Sequence, residues 1–264
     1  MGDSSSRAPG NAFGLWEAAF GLAVGFLLAI VAVSAYDSIA GPHPSPLGTD
    51  VVDFGALWAG FVGAAVVASR TRGLVPAGLE PVTAGSGPVP GSLARFVADY
   101  GLRIRPWPDL PLGIVIGVAS QYLLVPLLEL PLQPFVHNLD SKLAHPAQQL
   151  LLPVNYDTAS FVVVSVLVCV GSPVVEELFF RGLLLRGLLG RLRHFGPRIA
   201  PALSSVITGL VFGLAHFEAL QFLALAGFGM VLAYVAYRTG RLGPTIVAHA
   251  AFNTTTIIAF ALQR

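Results

Sequence analysis

Apolar residues dominate this chain in long runs, and the polar residues collect between the runs rather than alternating with them. Seven runs are long enough to read as bilayer-crossing helices, at about 13–36, 51–69, 110–130, 158–190, 201–216, 220–237 and 244–262. The fourth is too long for one straight span. Pro173, which follows Gly171-Ser172, should kink it or start a new helix, so the count is seven to eight. The expected fold is all-α, a polytopic transmembrane helical bundle. Residues 1–11 read as a short polar lead, 37–50 as a Pro/Gly loop, and 70–107 as a long connection holding a short amphipathic surface helix at 92–100. The first run is too long, and its charged flank too thin, for a cleaved leader. The expected organisation is a lead at 1–12, N-terminal spans and loops at 13–157, and a chemistry-bearing core at 158–264.

The charges orient these runs. With the N-terminus cytoplasmic, 12 of the 15 basic residues fall inside: Arg7, the five arginines of the 70–107 connection, Arg186, Arg191, Arg193, Arg198, Arg238 and Arg241. Only Lys142 and Arg264 fall outside, and Arg181 lies within a span. That asymmetry matches the positive-inside bias of cytoplasmic loops. Composition agrees, with 55% hydrophobic and only 11% charged residues, against about 25% charged in soluble domains. A net charge of +1 with no basic face argues against a nucleic-acid partner. Cys169 is the single cysteine, which rules out a disulfide framework and a thiolate metal cluster. The Arg-over-Lys bias, with many Ala, Gly and Pro, fits a prokaryotic cell membrane.

Three polar signatures recur late in the chain at i, i+4 spacing. The first is Glu176-Glu177 with Arg181, embedded in Val, Leu and Phe. The second is Phe212 with His216, and the third is His249 with Asn253. Residues four apart share a helix face, so Glu177 can pair with Arg181 while Glu176 points elsewhere. Ionisable groups cost about 2.5–3.5 kcal/mol each to insert at the centre of a span, which makes them candidates for function. Singly, a membrane His or Asn is more often a helix–helix hydrogen bond. Three signatures on separate spans can converge only in the bundle interior. There Glu176 and His216 suit removal of a proton from water, and His249 and Asn253 suit donation to a developing oxyanion.

These three motifs, Glu-Glu-x-x-x-Arg, Phe-x-x-x-His and His-x-x-x-Asn, resemble the CPBP family of intramembrane proteases. That family includes the type II CAAX prenyl endopeptidases and bacteriocin-processing, Abi-type relatives. The resemblance covers about 161–261, and extends to Gly182-Leu183-Leu184 and the turn Tyr237-Arg238-Thr239-Gly240. It implies an endopeptidase in which Glu176 and His216 activate water, His249 and Asn253 hold the oxyanion, and Glu177 and Arg181 support them. Phe212 would wall the pocket. It also implies a reaction without a metal cofactor. The alternative is Zn²⁺ held by Glu176, His216 and His249, although no His-Glu-x-x-His pair is present.

The expected partners are membrane lipid and a peptide or protein substrate, lipidated or not, cut near the cytoplasmic face. Two other readings compete. One is a non-catalytic scaffold or maturation factor holding a peptide in the same cavity. The other is a small transporter, which predicts an inverted repeat that the chain lacks. One depth mismatch stands against a shared site. At 1.5 Å per residue, Glu176 and His249 lie about 15 and 12 Å in from their arginine-rich ends, but His216 lies about 22 Å from Pro201. The fifth helix must therefore tilt strongly or begin deeper. His43, His137, His145 and His194 read as solvated, and Glu17, Asp53, Glu129 and Glu218 as interfacial. Glu218, close after His216, is a second candidate to orient it.

Overall fold

A computed structural model describes residues 14–72, 93–152 and 157–262. The polar lead and most of the 70–107 connection lie outside the described residues. The helices are α1 (Leu15–Ala40), α2 (Pro46–Arg72), α3 (Leu93–Tyr100), α4 (Pro106–Leu132), α5 (Leu139–Leu151), α6 (158–192), α7 (Gly196–Leu214), α8 (Phe222–Thr239) and α9 (Gly243–Ala261). No strand occurs among the described residues. Five segments are long and apolar enough to cross a bilayer: Leu15–Ala40, Pro46–Arg70, Pro106–Leu132, Thr158–Leu214 and Phe222–Thr239. The 57-residue segment among them is α6 and α7, joined at a single 3-10 turn, Arg193–Phe195. Gly196, at φ 87°, makes the reversal there, in a region of backbone space that suits glycine. The protein is a multi-pass integral membrane protein, all-α as the hydrophobic runs imply. Helix α9 carries His249, Asn253 and four threonines, which lower its apolarity.

Lipid tails are as apolar as leucine, so membrane helices associate through close packing of small residues. Helix α1 buries only Ala18, Gly21, Gly25 and Ala29, one stripe at helical spacing. That stripe lies against α2 so closely that a Cβ on Gly60 would sit 2.4 Å from the Gly25 Cα. The α4–α9 seam is built the same way, since a Cβ on Gly117 would meet the Ala248 carbonyl at 2.2 Å. Large side chains on outer faces, such as Val31, Val115, Leu123 and Val166, stay exposed for lipid.

The buried core joins both halves of the chain. Phe61 of α2 stacks on Phe179 of α6 with centroids 4.1 Å apart, and Phe180 meets Phe212 of α7 edge-on at 5.2 Å. The predicted surface helix is α3, which is tied down at its end. The buried Tyr100 hydroxyl donates to the Ala65 carbonyl at 2.8 Å, and Arg186 donates to the carbonyls of Asp99 and Tyr100.

The structure departs from the sequence reading in several places, among them the 37–50 loop, which is shortened because α1 runs to Ala40 and α2 starts at Pro46. Helix α7 starts at Gly196, with Pro201 inside it, rather than at Pro201. The 131–157 loop holds α5, whose apolar spacing is interrupted by Pro146. At Pro173 the backbone stays helical, with Gly171 and Ser172 both in the right-handed region. The chain meets this proline by widening into a π-turn over Leu167–Gly171, where the Ser172 N–H reaches back to the Leu167 carbonyl.

Candidate active site

Helix α6 turns π-helical twice, and the second π segment, Glu177–Leu184, carries the acidic pair's second member and its arginine. π-turns inside α-helices often accompany functional sites. Glu177 is fully buried, and its Oε1 accepts from Arg181 Nη1 at 2.8 Å and pairs with His249 Nδ1 at 3.1 Å. Arg181, 1% exposed, also donates Nη2 to the Gly229 carbonyl of α8 at 3.1 Å. Thr245, one turn before His249 and fully buried, lies beside the same carboxylate. Glu177 therefore joins α6 to α9, while Arg181 joins α6 to α8.

Glu176 faces a different way. Its Oε2 lies 4.0 Å from His249 Nε2 and has no hydrogen-bond partner among the described residues. The two glutamates thus bracket one imidazole, Glu177 at Nδ1 and Glu176 toward Nε2.

His216 sits just past the end of α7, where Phe217 turns the chain with φ +55°. Its Nδ1 lies 2.8 Å from the Phe212 carbonyl. A carbonyl only accepts, so Nδ1 carries the proton, and in the neutral ring Nε2 is left as the basic nitrogen. The partner that fixes this ring is Phe212, one turn back, rather than Glu218. The Phe212 ring also lies 4.7 Å from the His216 ring, 5.7 Å from the His249 ring and 4.5 Å from the Arg181 guanidinium carbon. The predicted pocket-wall residue is thus the contact on which all three motifs meet. The depth mismatch is bridged by this ring, since His216 and His249 pack on the same phenyl group.

Asn253 donates Nδ2 to the Val168 carbonyl of α6 at 2.8 Å. This bond has a local cause. In the π-turn register each N–H reaches five residues back, and Pro173, five after Val168, has no N–H to give. The Val168 carbonyl is left over, and Asn253 takes it. Pro173 and Asn253, read separately in the sequence, are two parts of one hydrogen-bond arrangement.

Glu176, Phe212, His216, His249 and Asn253 all line one cavity of about 610 Å³. Its other walls come from the second half of α4, from α5 and from the first turns of α8, and are mainly apolar. Gln121, Glu129, Asp140 and Gln148 also line it. Sequence reasoning missed these four, apart from reading Glu129 as interfacial. Their chain positions carry no motif; Gln121 and Glu129 come from α4, and Asp140 and Gln148 from α5. The supposed zinc ligands were Glu176, His216 and His249. Among the described residues no group of three His, Cys, Asp or Glu side chains is placed to hold a metal ion.

In comparison with known families, residues 158–255 match the one described as type II CAAX prenyl endopeptidase Rce1-like. That segment contains all three motifs and nearly coincides with the 161–261 stretch singled out by its sequence. Comparison with curated proteins and with solved structures finds no match.

Proposed function

Starting from residues 158–255 as a domain of the Rce1-like family of intramembrane CAAX-type endopeptidases, we propose that this chain hydrolyses a peptide bond of a membrane-associated substrate with water activated by Glu176 and His216. The observation that carries this reading is the shared cavity, in which Glu176 Oε2 has no partner among the described residues and lies 4.0 Å from His249 Nε2. In this mechanism a water between Glu176 and His216 gives up a proton as it attacks the scissile carbonyl. The same proton later passes to the leaving amine. His249 and Asn253 donate to the oxyanion that forms. With Nδ1–H given to Glu177, the His249 ring donates from Nε2 only as imidazolium. The set Glu176, Glu177, Arg181 and His249 is then neutral as a whole, which lowers its cost inside the membrane. Glu177 and Arg181 hold His249 in place. No metal enters any step. The substrate is a protein or peptide anchored in the membrane, prenylated or otherwise lipidated, or spanning, and the compartment is a prokaryotic cell membrane.

The test is cleavage of candidate membrane peptides by purified protein in liposomes, with and without chelator. Chelator-insensitive cleavage, lost in Glu176→Gln and His249→Ala, is the expected result. Loss with chelator and recovery with Zn²⁺ would instead favour the zinc version. Cellular function that survives Glu176→Ala would favour the scaffold.

A further inference from the structure

The two ends of the bundle differ in charge and in openness. At one end the α3–α4 turn, the end of α6 and the α8–α9 turn meet: the Leu242 N–H reaches the Gly101 carbonyl at 3.1 Å, and Arg241 pairs with Asp109 at 2.7 Å. Every described arginine except Arg181 belongs to the loops and helix ends on this side. At the other end lie Asp37, Asp50, Asp53, Glu129, Asp140 and Glu218, with Lys142 the only described lysine or arginine. Contacts hold that second end together too, with Gln221 Nε2 donating to the Leu143 carbonyl at 2.6 Å and Leu47, Leu151, Phe161 and Ile257 forming one apolar cluster.

The cavity runs from the middle of the bundle to the acidic end. Its walls are the second half of α4, the end of α7, α9 from His249 onward, the first turns of α8, α6 from Val168 to Glu176, α5, and Phe54 of α2. Tyr122, Asp140, Ala144 and Ala259 line it and are exposed, so they mark its mouth. Below the site, toward the arginines, the bundle is closed. Glu177, Arg181, Phe180 and Leu232 are buried there. The cavity next to Arg181, Arg186 and Arg241 measures about 10 Å³, room for about one water. Positive loops stay cytoplasmic, so the sealed end faces the cytoplasm.

We infer that the site receives its substrate from the extracytoplasmic side, as a polypeptide segment emerging from the outer half of the membrane, and not from the cytoplasm. This rests on the endopeptidase reading for its substrate but not for its geometry. It reverses the expectation of a cut near the cytoplasmic face, and it disfavours a soluble cytoplasmic prenyl-protein as substrate. An extended segment entering past α5 would run along apolar walls from Tyr122 and Ala259 to Glu176.

Cys169 is the single cysteine, which makes the test direct. In a Cys169→Ala background, single cysteines replace Asp140, Ala144 or Ala259 at the mouth, and Arg193 at the opposite end. A membrane-impermeant maleimide is applied to right-side-out and to inverted vesicles. Labelling of the mouth positions only in right-side-out vesicles, and of Arg193→Cys only in inverted ones, is expected. The reverse pattern, labelling of the mouth from both sides, or labelling from neither would overturn the inference. Three mouth positions guard against one variant failing to fold. A second arm reconstitutes the full chain with single-span reporter peptides whose extended apolar segment lies on either the outer or the cytoplasmic side. Cleavage of the outer reporter alone supports the inference, and cleavage of the cytoplasmic one overturns it. If neither is cut while the mouth still labels from outside, the access side stands and the endopeptidase reading is what fails.

Discussion

Glu177 and Asp109 are both fully buried carboxylates paired with an arginine, at 2.8 and 2.7 Å. The partners differ. Asp109 also accepts the Arg105 backbone N–H, and Arg241 keeps part of its side chain in contact with the surface. Glu177 is bound to a buried arginine and to an imidazole that lines a large cavity. Asp109 therefore clasps α4 to the start of α9, whereas Glu177 ties an ion pair to a wall where chemistry can occur. A buried ion pair by itself is weak evidence even for stability. What distinguishes a site is the third partner and the space beside it.

The first way to test this contrast is at Glu176, the neighbour that only the Glu177 region has. Glu176→Gln should lower the cleavage rate about 10²–10⁴-fold, the usual contribution of acid–base catalysis, with an unchanged melting temperature. Equal loss of rate and of folded protein would contradict it. Next comes Glu177→Ala, which strands Arg181 and should cost about 3–5 kcal/mol, seen as a lower midpoint in detergent unfolding. Restoring much of that stability with Glu177→Leu/Arg181→Leu, while cleavage stays absent, would separate the structural from the functional part. At the other clasp, Asp109→Asn should cost about 1–3 kcal/mol, because Arg241 can turn toward water. A loss as large as that of Glu177→Ala would erase the distinction.

The α4–α9 seam gives a related measurement. Gly117→Ala places a methyl on the Ala248 carbonyl and should cost about 1–3 kcal/mol by overpacking, whereas Gly55→Ala, with nothing within 4 Å, should be neutral or mildly stabilising. The smallest effect is expected at Asp157, the exposed N-cap of α6. Its carboxylate accepts from the Ala159 and Ser160 N–H groups and the Ser160 hydroxyl, which hold it below the ordinary aspartate range near 3.8. A lowered value means that the cap stabilises fully above that range and that this contribution is lost as pH falls through the lowered value. Asp157→Asn should thus melt slightly lower than the parent at pH 7, and the gap should close in acid.

Most of the architecture was legible because lipid imposes length and apolarity on every span, and those are properties of contiguous residues. The motif pairs were legible for a similar reason: i, i+4 neighbours share a face whatever surrounds them. Glu177 with Arg181 needs nothing but one helix. Other features had no local signal. The helix in 131–157 is short and interrupted by Pro146, so neither length nor period announces it. The bond from Asn253 to the Val168 carbonyl depends on a π-turn, and a backbone register of that kind leaves no residue signature apart from Pro173 beyond it.

By itself the sequence determined that the chain lies in a membrane, which end carries the positive charge, and which polar motif residues fall on or beside three of its last four long helices. These follow from transfer energies and helix periodicity, which act along the chain. The tertiary structure alone decided that one imidazole stands between Glu176 and Glu177, and that Phe212 joins His216 to His249. It alone also opened the cavity toward the acidic end while the arginine end is closed. Those outcomes depend on how closely glycine-lined helices approach and on which side chain reaches a leftover carbonyl, and such distances between remote residues are not fixed by spacing along the chain.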